Sequence, residues 1–202
     1  MITVAGHTFE ETTIGKGVII DVGCRGFAFA DYFFTNKVYC IDPDTEVFNR
    51  EPMPNHEHLV LAISDKAGET TYYRNGEATM IRAIDPDPTY PHINEKYKNV
   101  CKTITMEDLY KITGEDVEIL KLDCEGAEYM ILGEGFRPVP KQITVEMHRH
   151  CVPVLHDKEY PAIIERLSKD YVIANDPVYE KKHGCPENWW DILFIRKDLI
   201  NG

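Results

Sequence analysis

Five short apolar runs, each stopped by an acidic or glycine-bearing turn, constrain this chain more than any other feature. Residues 18–20 (VII) lead into Asp21-Val22-Gly23, and residues 37–41 (KVYCI) lead into Asp42-Pro43-Asp44. Residues 59–63 (LVLAI) lead into Ser64-Asp65, 117–122 (VEILKL) into Asp123-Cys124-Glu125, and 142–145 (QITV) into Glu146-Met147-His148. Runs of this length, rich in β-branched and aliphatic residues, read as buried strands. Helical patterns fall between several of them: 27–34, a segment from Met106 with Thr105 as its N-cap, 127–132, and 160–168. Strands alternating with helices pair in parallel, so the expected fold is α/β, a doubly wound, mostly parallel sheet with helices on both faces. The last two runs, 171–174 and 191–196, have no convincing helix between them. They are expected to form a hairpin, which makes the C-terminal strand antiparallel. Residues 70–74 read as an exposed strand. The stretch IDPDPTYPH carries three prolines and cannot be regular structure, so 75–100 is expected as a loop on the substrate side. The whole is read as one domain, 1–202, with 1–17 as an N-terminal arm.

Charge and composition narrow the function. The formal net charge of −12 opposes binding to a phosphate backbone, so nucleic acid is not an expected partner. The one dense basic cluster, 180–183, reads as a solvated loop. No apolar run approaches the roughly 20 residues of a membrane helix. The opening residues MITVAGH lack a basic region followed by an apolar stretch, so no signal peptide is expected and the cytoplasm is the default location. Six scattered cysteines favour reduced, packed thiols over a disulfide framework. Cys24 and Cys124 are read as packing residues, not as a redox pair.

In open α/β sheets, ligands sit beyond the carboxyl ends of the strands, where strand order reverses. All five run ends here carry polar or acidic groups. Gly23 and Gly26 would let a turn approach a ligand, and Asp42 follows Gly23 at the spacing of a ribose-binding acid. A tight strand-to-helix turn followed by a turn-forming Asp-Pro reads the same way. Asp21 sits where a pyrophosphate turn avoids a carboxylate, and so suits a cationic ligand. S-adenosylmethionine, with an ammonium, a sulfonium and no phosphate, fits: Asp21 would accept from the ammonium and Asp42 from the ribose. Asp123 would add a second carboxylate facing the cationic cofactor. Glu125 and Glu128 fall at a helix start, where the dipole stabilises a negative charge by about 0.3–1 kcal/mol. Simple helix capping is the alternative for both.

The blocks VIIDVGCRGF, VYCIDPD, LAISDKAGETTYY, TITMEDLY, VEILKLDCEGAEYMILGEG and ITVEMH occur in that order over residues 18–148. In this order they resemble the FkbM family of S-adenosylmethionine-dependent methyltransferases. The resemblance implies a class I methyltransferase (Rossmann-like) sheet of seven strands with the last antiparallel. It implies O-methylation of a hydroxyl on a sugar or other small molecule. The cofactor residues expected from it are Asp21, Val22, Gly23, Cys24, Arg25, Asp42, Pro43, Ser64, Asp65 and Asp123. The turn Cys24-Arg25-Gly26-Phe27 departs from the Ala-Asn and further glycine common in the family. Arg25 is therefore expected to pair with an acid such as Asp123 or Glu125, or to grip a carboxylate.

Methyl transfer to a hydroxyl needs an oxygen positioned against the methyl group and a base for its proton. Candidates for the base are Glu146 and His148, which share a face of one strand, and Asp123 and Glu125 beside them. Together these could hold a divalent metal, which is not the favoured reading. The pairs His148/His150 and His56/His58 read as surface or core histidines. Of Trp189 and Trp190, one is expected in the core. Tyr72, Tyr73 and Tyr90 could stack on a sugar, with aromatic packing as the default. Two other functions are compatible: a module that keeps the site without activity, suggested by the altered turn, and an NAD-dependent oxidoreductase, which would need a third glycine.

Overall fold

The computed structural model describes residues 1–75, 78–81, 95–175, 178–179 and 189–200. The chain opens with a hairpin, β1 (Ile2–Val4) and β2 (His7–Phe9), followed by β3 (Val18–Val22), β4 (Val38–Asp42) and β5 (His56–Val60). Then come β6 (Ala62–Ile63), β7 (Gly68–Asn75), β8 (Ala78–Ile81), β9 (Lys98–Ile104) and α1 (Met106–Thr113). The rest is β10 (Val117–Leu122), α2 (Glu128–Ile131), β11 (Gln142–His148), α3 (Pro153–Leu167), β12 (Tyr171–Ile173), β13 (Val178–Tyr179) and β14 (Trp189–Arg196).

The main sheet is mixed, in the order β12-β14-β11-β10-β3-β4-β5, with β13 also paired to β14. The five strands from β5 to β11 are parallel, and β14 runs against both β11 and β12. The hairpin-like pairing of 171–173 with 194–196 is thus observed. From β3 the chain first moves to β4 and β5, then returns to β10 and β11. Strand order therefore reverses between β3 and β10, where the rule for open sheets places a ligand.

The cover on the two faces is unequal, which corrects the expectation of helices on both. Among the described residues, α1, α2 and α3 all pack on one face, with Leu109, Tyr129 and Ile163 against Ile20, Leu120 and Ile143. The other face carries Ile19, Val38, Cys40 and Ile119, and is covered by Phe9 of the hairpin with Phe27, Phe29 and Phe33. The expected helix at 27–34 is only a 3-10 turn, Ala30–Tyr32. Gly26 and Phe27 both have positive φ, +76° and +59°, which a right-handed helix cannot accommodate. Aromatic contacts, not a helical stripe, hold this segment. Phe9, Phe29 and Phe33 meet at centroid distances of 5.1–5.8 Å. A buried amide fastens the hairpin to β11. Gln142 donates to the Glu10 carbonyl and accepts from its N–H, at 2.9 and 2.8 Å.

The run 59–63 does not form one strand. β5 starts three residues earlier, the chain breaks at Leu61, and β6 joins a second sheet, β6-β9-β7-β8. That sheet buries Tyr72 and Tyr73, so β7 is not the exposed strand its sequence suggests. The Pro-rich stretch at 82–94, with Tyr90, lies outside the described residues, as does 180–188. The helix α1 begins with a capping box between Thr105 and Asp108, worth about 1 kcal/mol. The helix α3 begins at Pro153 in its first turn, well before residue 160. Pro161 inside it hides the earlier turns from a propensity reading. No helix among the described residues is long and apolar enough to cross a membrane.

Two expectations follow. A Cβ on Gly23 would meet the Asp123 carbonyl oxygen at 1.7 Å, at φ +77°. Gly23→Ala should therefore cost on the order of 2–4 kcal/mol, read as a lower urea midpoint at unchanged slope. His156 is buried against Tyr129, whose hydroxyl lies 2.6 Å from its Nδ1, and burial lowers its pKa to about 4. The unfolded chain binds this proton more readily. Stability should hold above pH 6.5 and fall between 6.5 and about 4, a loss that His156→Gln should reduce.

Candidate functional site

The tips of β3 and β10 meet backbone to backbone. The Asp123 N–H donates to the Val22 carbonyl at 3.1 Å, and Gly23 leaves no room for a side chain between them. Register places Lys121 beside Asp21. Both are almost fully buried, and Lys121 Nζ lies 3.1 Å from Asp21 and 3.5 Å from Asp123. The same ammonium donates to the Gly23 carbonyl at 2.6 Å. Burial opposes the charge on Lys121, but Asp21 and Asp123 outweigh it and hold its pKa above the ordinary lysine range. Burial likewise opposes the Asp123 charge, and Lys121, His7 and His148 outweigh it, holding that carboxyl below its usual range. The counter-ion of Asp21 is therefore Lys121. The sequence reading, in which Asp21 suits a cationic ligand, did not include this internal partner.

After Asp123 the chain turns sharply, with Glu125 at φ +52° and Gly126 at φ +103°. A left-handed glutamate is uncommon and strained, and such strain persists only where surroundings enforce it. Glu128 does so here. Fully buried, it accepts from the Cys124 N–H at 2.6 Å, from the Gly126 N–H at 2.8 Å, and faces His148 Nδ1 at 2.9 Å. Its role is to staple the turn and hold the histidine.

His148 in turn gathers the proposed catalytic group. Its Nε2 lies 3.6 Å from Asp123 and 3.9 Å from Glu146. Burial opposes protonation of His148, but Glu128, Glu125 and Glu146 outweigh it, so its pKa stands well above 6.5. Its protonated form is favoured there, and an imidazolium is a poor proton acceptor. His7 reaches in from the N-terminal hairpin, with Nε2 3.5 Å from Asp123 and Nδ1 3.9 Å from Asp191. Donor atoms of His7, Asp123 and Glu146, and of Asp123, Glu125 and His148, lie within 4.8 Å of one another. Either set could take a divalent cation, although Lys121 and His148 already supply positive charge there.

The remaining residues stand around the β4 tip. Asp42 is nearly buried, and its Oδ1 accepts from the Asp44 N–H at 2.8 Å. Burial pushes its pKa up to about 6, against the Asp44 N–H bond and Arg25. Pro43 follows, half-buried. Arg25 pairs with Asp44 at 3.1 Å, not with Asp123 or Glu125, and Arg74 of β7 binds the same carboxylate at 3.2 Å. Val22 and Cys24 turn their side chains into the cores on opposite faces, leaving their backbone at the tip. Ser64 and Asp65 follow β6 and hydrogen-bond each other at 3.1 Å, with Ser64 buried and Asp65 exposed. They follow β6, which pairs with β9 in the second sheet, and so are not the end of one continuous strand over 59–63. Sequence reasoning missed Lys121 and His7. A lysine inside the apolar run VEILKL was the available signal for the first, and His7 gave none.

A family model described as the methyltransferase FkbM domain matches residues 21–171. The chain belongs to the FkbM methyltransferase family. The FkbM match runs from Asp21 through the β10 turn to Tyr171, so His7 and Asp191 lie outside it. The FkbM chain is also 22% identical over 197 residues to a Caenorhabditis elegans protein named as a homolog of aldehyde dehydrogenase family 7 member A1. The similarity covers 90% of this chain and 36% of that protein, so the chain spans about a third of that relative's length. No solved structure matches.

Glu128→Ala would strand two N–H groups and a buried imidazolium. It should cost on the order of 3 kcal/mol or more, and Glu128→Gln less, by urea unfolding. The contribution of this pair is complete below the ordinary imidazole pKa and is lost as pH rises through the raised folded value. NMR titration of His148 should place that value well above 6.5.

Proposed function

We propose that this FkbM domain is an S-adenosylmethionine-dependent O-methyltransferase acting on a hydroxyl of a sugar or other small molecule. The observation that carries the reading is the convergence of the Gly23 turn, Asp42, Asp123, Glu146 and His148 at the point where strand order reverses. A cofactor lying across these tips would meet the backbone of residues 22–25 at its methionine end and Asp42 at its ribose. The pairing of Arg25 with Asp44 supports the reading, because a neutralised guanidinium does not oppose a nearby sulfonium. It also weakens the case for an inactive module, which rested on that turn.

Methyl transfer is an in-line displacement in which the acceptor oxygen forms a bond to the methyl carbon as the sulfonium sulfur leaves with the electron pair. The acceptor proton passes to a base. A carboxylate held at low pKa, as Asp123 is, and a protonated His148 are both poor acceptors. Glu146, on the same face and partly exposed, is our choice. Asp123 and His148 then position the acceptor and fix the charge around it.

Titration calorimetry tests binding. S-adenosylhomocysteine should bind the wild-type chain, and Asp42→Ala should weaken it by about tenfold or more with the fold retained, a loss of about 1.4 kcal/mol. No affinity for either form of the cofactor would overturn the reading. Glu146→Gln should lower kcat by about 10²- to 10⁴-fold at nearly unchanged cofactor affinity.

A further inference from the structure

A second cluster lies on the sheet face away from the α-helices, at β4 and β5. His56 and His58 alternate on β5 and so project to one face. In register, Cys40 of β4 stands opposite His58. One donor atom from each of Cys40, His56 and His58 lies within 4.8 Å of the others. The Cys24 thiol lies against that of Cys40. Cys24 and Cys40 are at most 1% exposed, and the His56 side chain is fully buried. All of this sits in the aromatic layer, with His58 stacked on Phe27 at 5.0 Å.

The imidazole nitrogens are the anomaly. Both ring nitrogens of His56 and Nε2 of His58 are buried without a partner in good hydrogen-bond geometry, although the Ala30 backbone acts on the His56 ring. Buried polar groups are nearly always hydrogen-bonded, so three such nitrogens in one place require an explanation. Nδ1 of His56 faces Asp31 at 3.9 Å. Arg50 holds the same carboxylate through both oxygens, so Asp31 would orient this imidazole only after the ring moves closer. Each histidine brings one ring nitrogen toward Cys40.

We propose that Cys40, His56 and His58, completed by Cys24, bind a single zinc-class divalent cation at a structural site. Two thiolates and two neutral imidazoles would cancel the charge of the ion, as a buried site demands, and would satisfy the orphaned nitrogens. Sulfur with imidazole selects zinc over magnesium or calcium. Tetrahedral zinc holds its donors about 3.5 Å apart, so shifts of about an ångström bring Cys40, His56 and His58 together, and Cys24, outside that group, must turn further to complete it. The ion would tie the β3 turn to β4 and β5, on the face that has no α-helix to brace it. Cys40, His56 and His58 take no part in the proposed cofactor site, and the shared Cys24 lends that site only its backbone, so the test reads metal content and melting temperature and not methyl transfer.

The chain, expressed with zinc in the medium, is assayed for bound metal. It is then stripped and titrated with cobalt(II) alone. Expected are close to one equivalent of zinc, a thiolate-to-cobalt charge-transfer band, and a lower melting temperature after chelation. Cys40→Ser should cut the band by about half or more, Cys24→Ser with Cys40→Ser should abolish it, and His58→Gln should weaken binding by about tenfold or more. Glu146→Gln, in the carboxylate site, should leave stoichiometry and band unchanged. A folded wild-type chain without zinc and without the cobalt band would overturn the proposal, and needs no variant. So would metal that survives His58→Gln but is lost in Glu146→Gln.

Discussion

One buried ammonium organises the reversal point of the sheet. Lys121 sits between Asp21 and Asp123 and also binds the Gly23 carbonyl. Taking such charges out of water is costly, and removing one partner of a buried pair costs about 3–5 kcal/mol. The arrangement persists because three acceptors converge on one donor. It locks two neighbouring parallel strands at their tips, along the pairing of β3 with β10 that joins the two halves of the sheet. The opposite end of β10 is fixed in the same way. Glu118 is fully buried and accepts from the Gly17 N–H and from Lys141, each at 2.8 Å. The central strand thus carries a charge near each end, of opposite sign, each neutralised by a neighbour.

The crowding of acids in the β10 turn has a division of labour behind it. Asp123 answers the lysine. Glu128 gives both oxygens to turn N–H groups and faces His148. Glu125 is left at a left-handed backbone position, held there by the staple that Glu128 provides. Repulsion among the three is offset by one ammonium and one imidazolium, both locked in place by burial. A rigid, pre-charged cluster of this kind has little freedom to reorganise, the property that electrostatic preorganisation rests on.

The strands were legible because buried parallel strands read as continuous apolar runs. The antiparallel C-terminal strand followed from the lack of a crossover helix before it. The acids at the strand tips were legible for the same reason, since each directly follows a run. What failed was non-local. The break at Leu61 depends on β6 finding β9, about 40 residues later, and no local propensity encodes that partner. The phenylalanine-rich segment looked helical because apolar content without a stripe is ambiguous, and only Gly26 hinted at the turn. That Arg25 pairs with an acid was legible, but which one was not, because Asp44 reads as an ordinary turn residue. Lys121 was passed over because a single charge in an apolar run reads as an exception, whereas register made it the hub.

The unequal cover of the sheet has a kinetic corollary. Three helices brace one face through contacts made largely with nearby strands, while the hairpin that caps the other face finds Gln142 across 132 residues of chain. Closing a loop of that length before its contacts exist is slow, and contacts of high sequence separation delay folding. We expect the first ten residues to dock late, onto a sheet already assembled, so that the aromatic layer beneath them is the last part of the molecule to lose contact with water.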